Sequence, residues 1–172
     1  MVAVLLAGLP VVAGCASRPV NVDDPATRQM LSLLMPAKII VEPFTGLKSF
    51  DGDALPDGLE VVLRPVDAFD DPVKIAGVLR VELFYFRDAS GERQGRRIEQ
   101  WEVPITTPTD QRAYWNRVTQ MYEIPLELNL LSVRAEDRYV LEVTYNTPLG
   151  EHMRTEHEFE PPVRRREGLT GQ

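Results

Sequence analysis

The chain has 172 residues, a formal net charge of −7, one cysteine and two histidines. Its length suits a single domain with a proper core. The acidic balance excludes nucleic acid as a partner, because such binding needs basic surface to displace condensed counterions. It argues equally against broad electrostatic attraction to anionic lipid heads, and a lone cysteine excludes an internal disulfide framework.

Residues 1–14 carry no charged side chain and are too few to span a bilayer, which takes roughly 20 apolar residues. They have the length of the apolar part of a secretory signal. Val12-Ala13-Gly14-Cys15 follows, then Ala16-Ser17. This stretch resembles the lipobox of bacterial lipoproteins, in which small residues precede a cysteine that is acylated and becomes the new N-terminus. The resemblance covers only the leader and implies cleavage before Cys15, lipidation there, and an exported, membrane-anchored protein. Ala16 in place of Asp favours the outer membrane if the cell is Gram-negative. One feature departs from the pattern: no Lys or Arg precedes Arg18, so the true start is expected upstream of Met1. The opposing reading makes 1–14 a buried element and Cys15 a core thiol. Several acyl chains on one residue anchor a protein stably, which gives the single cysteine a role.

Residues 15–23 are polar and aperiodic and read as a tether. Asp24-Pro25 has the form of a helix cap followed by proline at the first helical position, and Met30, Leu33 and Leu34 follow at helical spacing before Pro36. A short helix over 24–36 is expected to pack its apolar face on the domain. From Ala37 the period becomes two. Ile39–Val41, Leu59–Leu63, Leu79–Tyr85, a weaker Ile98–Val103, Tyr122–Leu128, Tyr139–Tyr145 and Met153–Phe159 each alternate apolar with polar residues. Such alternation means antiparallel sheets with one wet face. The apolar faces then bury against each other, giving an all-β fold of two packed sheets and about seven strands over 37–160. Asn146–Gly150 reads as the turn of a final hairpin. Asp110–Gln120, with Tyr114, Trp115 and Val118, reads as a short helical crossover over one end. The tail, 161–172, holds three consecutive arginines and no periodicity and is expected to be disordered.

Asp137-Arg138-Tyr139-Val140-Leu141 resembles the Asp-x-Tyr-x-Leu signature of the tyrosine corner in immunoglobulin-like sandwiches. It implies that Tyr139 heads the penultimate strand and that its hydroxyl ties down the preceding loop. The Cys…Trp…Cys core of antibody domains is absent, so the likeness is to the broader bacterial immunoglobulin-like or fibronectin-like architecture.

Three groups of residues are candidates for a site. Asp51, Asp53 and Asp57 share one loop and Asp67, Asp70 and Asp71 the next. If both loops left nearby ends of the sandwich they could hold calcium, which takes six to eight oxygens, although Asp is also a common turn residue. His152 and His157 fall on opposite faces of one strand, so they cannot share a metal. Trp101, Tyr114 and Trp115 form a possible ligand face, and Phe84 and Phe86 fall on the polar side of their strand, where exposed rings could seat a sugar or a protein. The dull alternative places Trp115 as a cap on the core and the phenylalanines beneath the crossover. There is no Gly-x-Ser-x-Gly elbow, phosphate loop or zinc spacing, so no catalytic residue and no cofactor is expected. The first reading is a non-enzymatic cell-envelope lipoprotein whose sandwich binds or braces an envelope protein or glycan. The alternatives are a carbohydrate-binding module on the surface aromatics, or a calcium-stabilised adhesion module on the acidic loops.

Overall fold

Alternating burial decides the architecture. The computed structural model describes residues 21–52, 57–88, 91–129, 133, 137–147 and 149–160. The chain runs α1 (Pro25–Ser32), β1 (Lys38–Val41), β2 (Gly46–Lys48), β3 (Gly58–Val66), β4 (Gly77–Phe86), β5 (Gln94–Ile105), α2 (Pro108–Tyr114), β6 (Trp115–Asn116), β7 (Met121–Glu127), β8 (Tyr139–Asn146) and β9 (His152–Phe159). The leader, Cys15, most of the tether, Asp53 and the tail from 161 lie outside the described residues.

Two antiparallel sheets form, ordered β1-β3-β7-β6, with β2 also on β3, and β5-β4-β8-β9. The seven expected strands are β1, β3, β4, β5, β7, β8 and β9; β2 and β6 are additions. Counted among those seven, the first, second and fifth lie in one sheet, and the third, sixth and seventh lie together in the other. The fourth, β5, forms the edge of that second sheet beside the third. β1 and β2 occupy the same flank of β3, end to end, because Pro43 interrupts them and Thr45 crosses over instead. The Thr45 hydroxyl accepts from Val62 N–H at 2.9 Å.

The inner faces supply the core. Leu59, Val61 and Leu63 of β3 and Tyr122 and Ile124 of β7 meet Leu79, Val81 and Leu83 of β4 and Tyr139, Leu141, Val143 and Tyr145 of β8, all buried. Each such side chain stabilises the fold by on the order of 1.5–3 kcal/mol. Both seams between the sheets are closed: β1 lies beside β9, and Trp101 of β5 donates its Nε1–H to the Glu127 carbonyl of β7 at 3.0 Å.

The helix at the N-terminus departs from expectation. Asp24 caps it, accepting from Thr27 N–H at 2.8 Å, but α1 ends at Ser32 and buries no residue. Met30, Leu33 and Leu34 are exposed. The inner faces of the strands already fill one another, so no bare apolar surface is left for α1 to cover. Phe84 and Phe86 also differ from expectation. They lie half-buried toward the far end of β4 from α2, with the Arg138 guanidinium 3.7 Å over the Phe86 ring.

The outer face of the β5-β4-β8-β9 sheet carries buried carboxylates. Glu82 takes Arg97 at 2.6 Å and Arg80 at 3.0 Å; Glu142 takes Arg154 at 2.7 Å and the Gln94 amide at 2.5 Å. The β4–β5 hairpin curls over this face, and Arg93 reaches Glu158 of β9. Burial alone would raise the Glu82 pKa, but the bonds from Arg97 and Arg80 outweigh it and hold the carboxyl below its ordinary 4.5.

Two outcomes are expected. Glu82 is depressed in the fold, so it adds stability above about pH 4.5 that is lost as pH falls through its lowered value. Glu82→Gln should therefore flatten the acid limb of a stability-versus-pH curve measured by urea unfolding. Gly58 opens β3 so close to β7 that a Cβ would run into the Leu126 carbonyl and approach the Phe50 ring to 2.8 Å. Gly58→Ala should lower stability by about 1–3 kcal/mol. Gly46→Ala, whose Cβ would meet nothing within 4 Å, should lower it far less in the same assay.

Candidate functional site

The segment that crosses from β3 to β4 is clamped by a closed ring of hydrogen bonds. Ile75 N–H donates to the Tyr122 hydroxyl at 3.0 Å. That hydroxyl donates to Gln111 Oε1 at 2.8 Å, and Gln111 Nε2 donates back to the Ile75 carbonyl at 2.5 Å. Beside it, the Tyr145 hydroxyl donates to the Ala76 carbonyl at 2.8 Å. Burial pushes both phenols above their ordinary pKa of 10.0, so both remain neutral at physiological pH. Through these bonds the core of both sheets positions one end of the sandwich.

α2 lies at that end because its start is doubly specified. The Thr107 hydroxyl accepts from Asp110 N–H at 3.2 Å, and Asp110 accepts from Thr107 N–H at 2.8 Å and Thr106 N–H at 3.0 Å, a capping box with Pro108 in the first turn. These bonds hold the Asp110 carboxyl below its ordinary range. Trp115 ends α2 and opens β6, whose register opposes Trp115 to Tyr122. The two rings pack edge to face with centroids 4.9 Å apart, a favourable quadrupole arrangement that fixes the indole.

Two clefts flank Trp115. The first has a volume of about 670 Å³ and is lined by Lys74, Arg112 and Arg117 among others, with no carboxylate. The Lys74 ammonium sits 5.3 Å from the centre of the indole ring, within cation–π range. The second, about 510 Å³, brings Tyr114 and Phe50 beside Trp115, with Glu60, Glu123 and Asn116. Its polar groups are partly committed. Glu60 holds Lys48 at 2.5 Å, and the Asn116 amide donates to Glu123 at 2.8 Å.

Of the aromatic candidates, Tyr114 and Trp115 therefore share a site and Trp101 does not. Trp101 is tied to Glu127, five residues along β7 from the partner of Trp115, which is roughly 16 Å at the rise of a strand. The condition for a shared calcium site, loops leaving nearby ends of the sandwich, is not met. The 51–57 loop precedes Gly58 and the 67–71 loop follows Val66, at opposite ends of a nine-residue strand, so no single ion can reach both. The described acids serve local structure. Asp57 accepts from Phe50 N–H at 2.6 Å, Asp67 from Phe69 N–H at 2.8 Å and Asp71 N–H at 3.0 Å, and Asp70 pairs with Lys38 at 2.7 Å. Among the described residues no three metal-ligating side chains gather. His152 is exposed and His157 half-buried, and burial lowers the pKa of His157. Tyr139 heads β8, fully buried, between the rings of Tyr85 and Phe159.

Comparison with protein-family models, with curated proteins and with solved structures finds no match. The class of the protein thus rests on its own geometry, an all-β two-sheet sandwich with an aromatic, cation-lined end. Sequence reading singled out Trp115 but not Lys74, Gln111, Arg112 or Arg117. Nothing in their spacing marks them, because the fold alone gathers them.

Removing the Tyr122 hydroxyl would leave a buried N–H at Ile75 unpaired. Tyr122→Phe should lower stability by about 1–3 kcal/mol by urea unfolding and loosen Trp115, read as broadened indole NMR signals.

Proposed function

We propose that this chain is a non-enzymatic cell-envelope lipoprotein, exported and anchored through Cys15, whose sandwich is a binding module with its ligand-facing end at Trp115. The observation that carries this reading is the pair of clefts around an indole held edge-on by Tyr122, one of them lined by Lys74, Arg112 and Arg117, which no ion pair among the described residues engages. Two other clefts, of about 740 and 540 Å³, are lined by Asp51, Asp57 and Glu127 and by the ion-paired Arg93, Arg154, Glu156 and Glu158; neither is lined by an indole. The envelope address comes from the likeness of residues 12–17 to a lipobox.

A carbohydrate ligand is favoured over a protein partner by one feature. Trp115, Tyr114 and Phe50 border one cleft together with Glu60, Glu123 and Asn116, and ring faces beside acceptors and amides suit sugar C–H faces and hydroxyls. Calcium-stabilised adhesion is not supported, since the two acidic loops lie at opposite ends of β3.

Two measurements test the reading. Mass spectrometry of the protein from its native host should find a chain that begins at an acylated Cys15; a free thiol with residues 1–14 attached would remove the envelope address. A photo-cross-linker at Ala113, exposed on the second cleft beside Trp115, should give a discrete adduct in intact envelopes, and one at Gly91, in the β4–β5 hairpin at the other end, should not. Equal labelling from both positions, or none from 113, would remove the binding end.

A further inference from the structure

We infer that the cleft formed by Lys74, Arg112 and Arg117 is an anion subsite, and that the module takes a saccharide bearing a carboxylate or phosphate. This rests on the binding-module reading and specifies its ligand. Three separated stretches supply the cations: the crossing segment before β4, the middle of α2, and the turn between β6 and β7. The topology brings them around one indole, and among the described residues no carboxylate lines the cleft.

The contrast with the rest of the molecule is chemical. Basic side chains on both sheets, among them Lys48, Arg64, Arg97 and Arg154, lie against carboxylates at 2.5–2.7 Å. Among the described residues, Lys74 in the cleft faces the ring of Trp115, Arg112 reaches the Thr109 hydroxyl at 3.4 Å, and none of Lys74, Arg112 and Arg117 has an ion pair. Asp110, two residues from Arg112, is committed to capping α2, accepting from Thr106 and Thr107 N–H. Gathered like charges with no counter-charge repel one another, and an anion that enters relieves that repulsion while it gains hydrogen bonds. A chain of net charge −7 that leaves three cations together in this way has a local preference opposite to its overall one.

The indole argues for more than a bare anion. Tyr122 fixes its tilt, so little ordering remains when a ligand stacks on it. A carboxylate or phosphate would draw the Lys74 ammonium off the ring and leave that face to the C–H side of a pyranose. The cleft volume falls within the range of small-ligand sites.

The test uses full-length protein purified from its native membrane in non-ionic detergent, titrated by calorimetry with tryptophan emission as a second readout. Matched probes separate the two sources of charge. N-acetylglucosaminyl-N-acetylmuramic acid is compared with chitobiose for the carboxylate, and glucose 6-phosphate with glucose for the phosphate; inorganic phosphate alone controls for the ring. At least one acidic probe should bind about tenfold or more tightly than its neutral counterpart, with affinity falling as salt rises. Arg112→Gln with Arg117→Gln should weaken it about tenfold or more. Both side chains are exposed and unpaired, so Tm should not move. The proposal is overturned if neither acidic probe binds, if neutral and acidic members bind alike, if the double variant binds as well as the parent, or if inorganic phosphate binds as tightly as the sugar phosphate. Equal binding of neutral and acidic sugars would remove the anion subsite and leave the binding module standing, whereas the cross-linking at 113 judges the module itself.

Discussion

Ile75, Tyr122 and Gln111 hold one another through three hydrogen bonds, and the ordered end of this molecule depends on that ring. A segment crossing between two sheets has backbone groups that no ladder pairs, and buried unpaired groups are costly. Here one phenol serves the N–H of Ile75 and one amide serves its carbonyl. The phenol belongs to the core of β7 and the amide to α2. A single arrangement therefore satisfies the crossing, docks the helix and sets the height of Trp115. Because Tyr122 is fully buried, the packing of the core reaches the surface through it.

The two sheets treat their outer faces differently. One bears glutamates sunk beneath arginines and a hairpin folded across them; the other bears the short β6 and the cleft bordered by Phe50. Buried ion pairs add little net stability compared with apolar packing, but they exclude alternative neighbours, since an unpaired Glu82 or Glu142 would be strongly disfavoured. The ion pairs thereby commit the charges of that sheet to one another, whereas Lys74, Arg112 and Arg117 near α2 have no ion pair among the described residues.

How much was legible in the sequence follows from the range of each interaction. Strands such as β3, β4, β7 and β8 announced themselves because alternation is local and the sandwich buries one face of each. The Asp24 cap was equally local. The aromatic spacing points to 110–120, whereas α2 starts at Pro108 on the capping box of Thr107 and Asp110 and ends at Tyr114, where Trp115 pairs with β7. β6 has two residues, too few for any period, and exists only because β7 lies beside it. α1 shows the opposite failure: Met30, Leu33 and Leu34 have helical spacing, yet spacing cannot say whether a face remains for them to cover. The cleft was invisible for a deeper reason. Lys74 and Arg117 stand 43 positions apart and meet through a ring of bonds that no linear pattern encodes, whereas Trp115 was noticed only as one aromatic among several.

β1 begins at Lys38, opposite Val66, so the chain comes into the domain at the same end that carries α2 and Trp115. α1, which precedes that entry, buries no residue. Lengthening the segment before β1 would therefore leave the contacts inside the sandwich unchanged, so how far the domain stands from whatever its N-terminal segment is attached to and how it packs are set by separate parts of the chain.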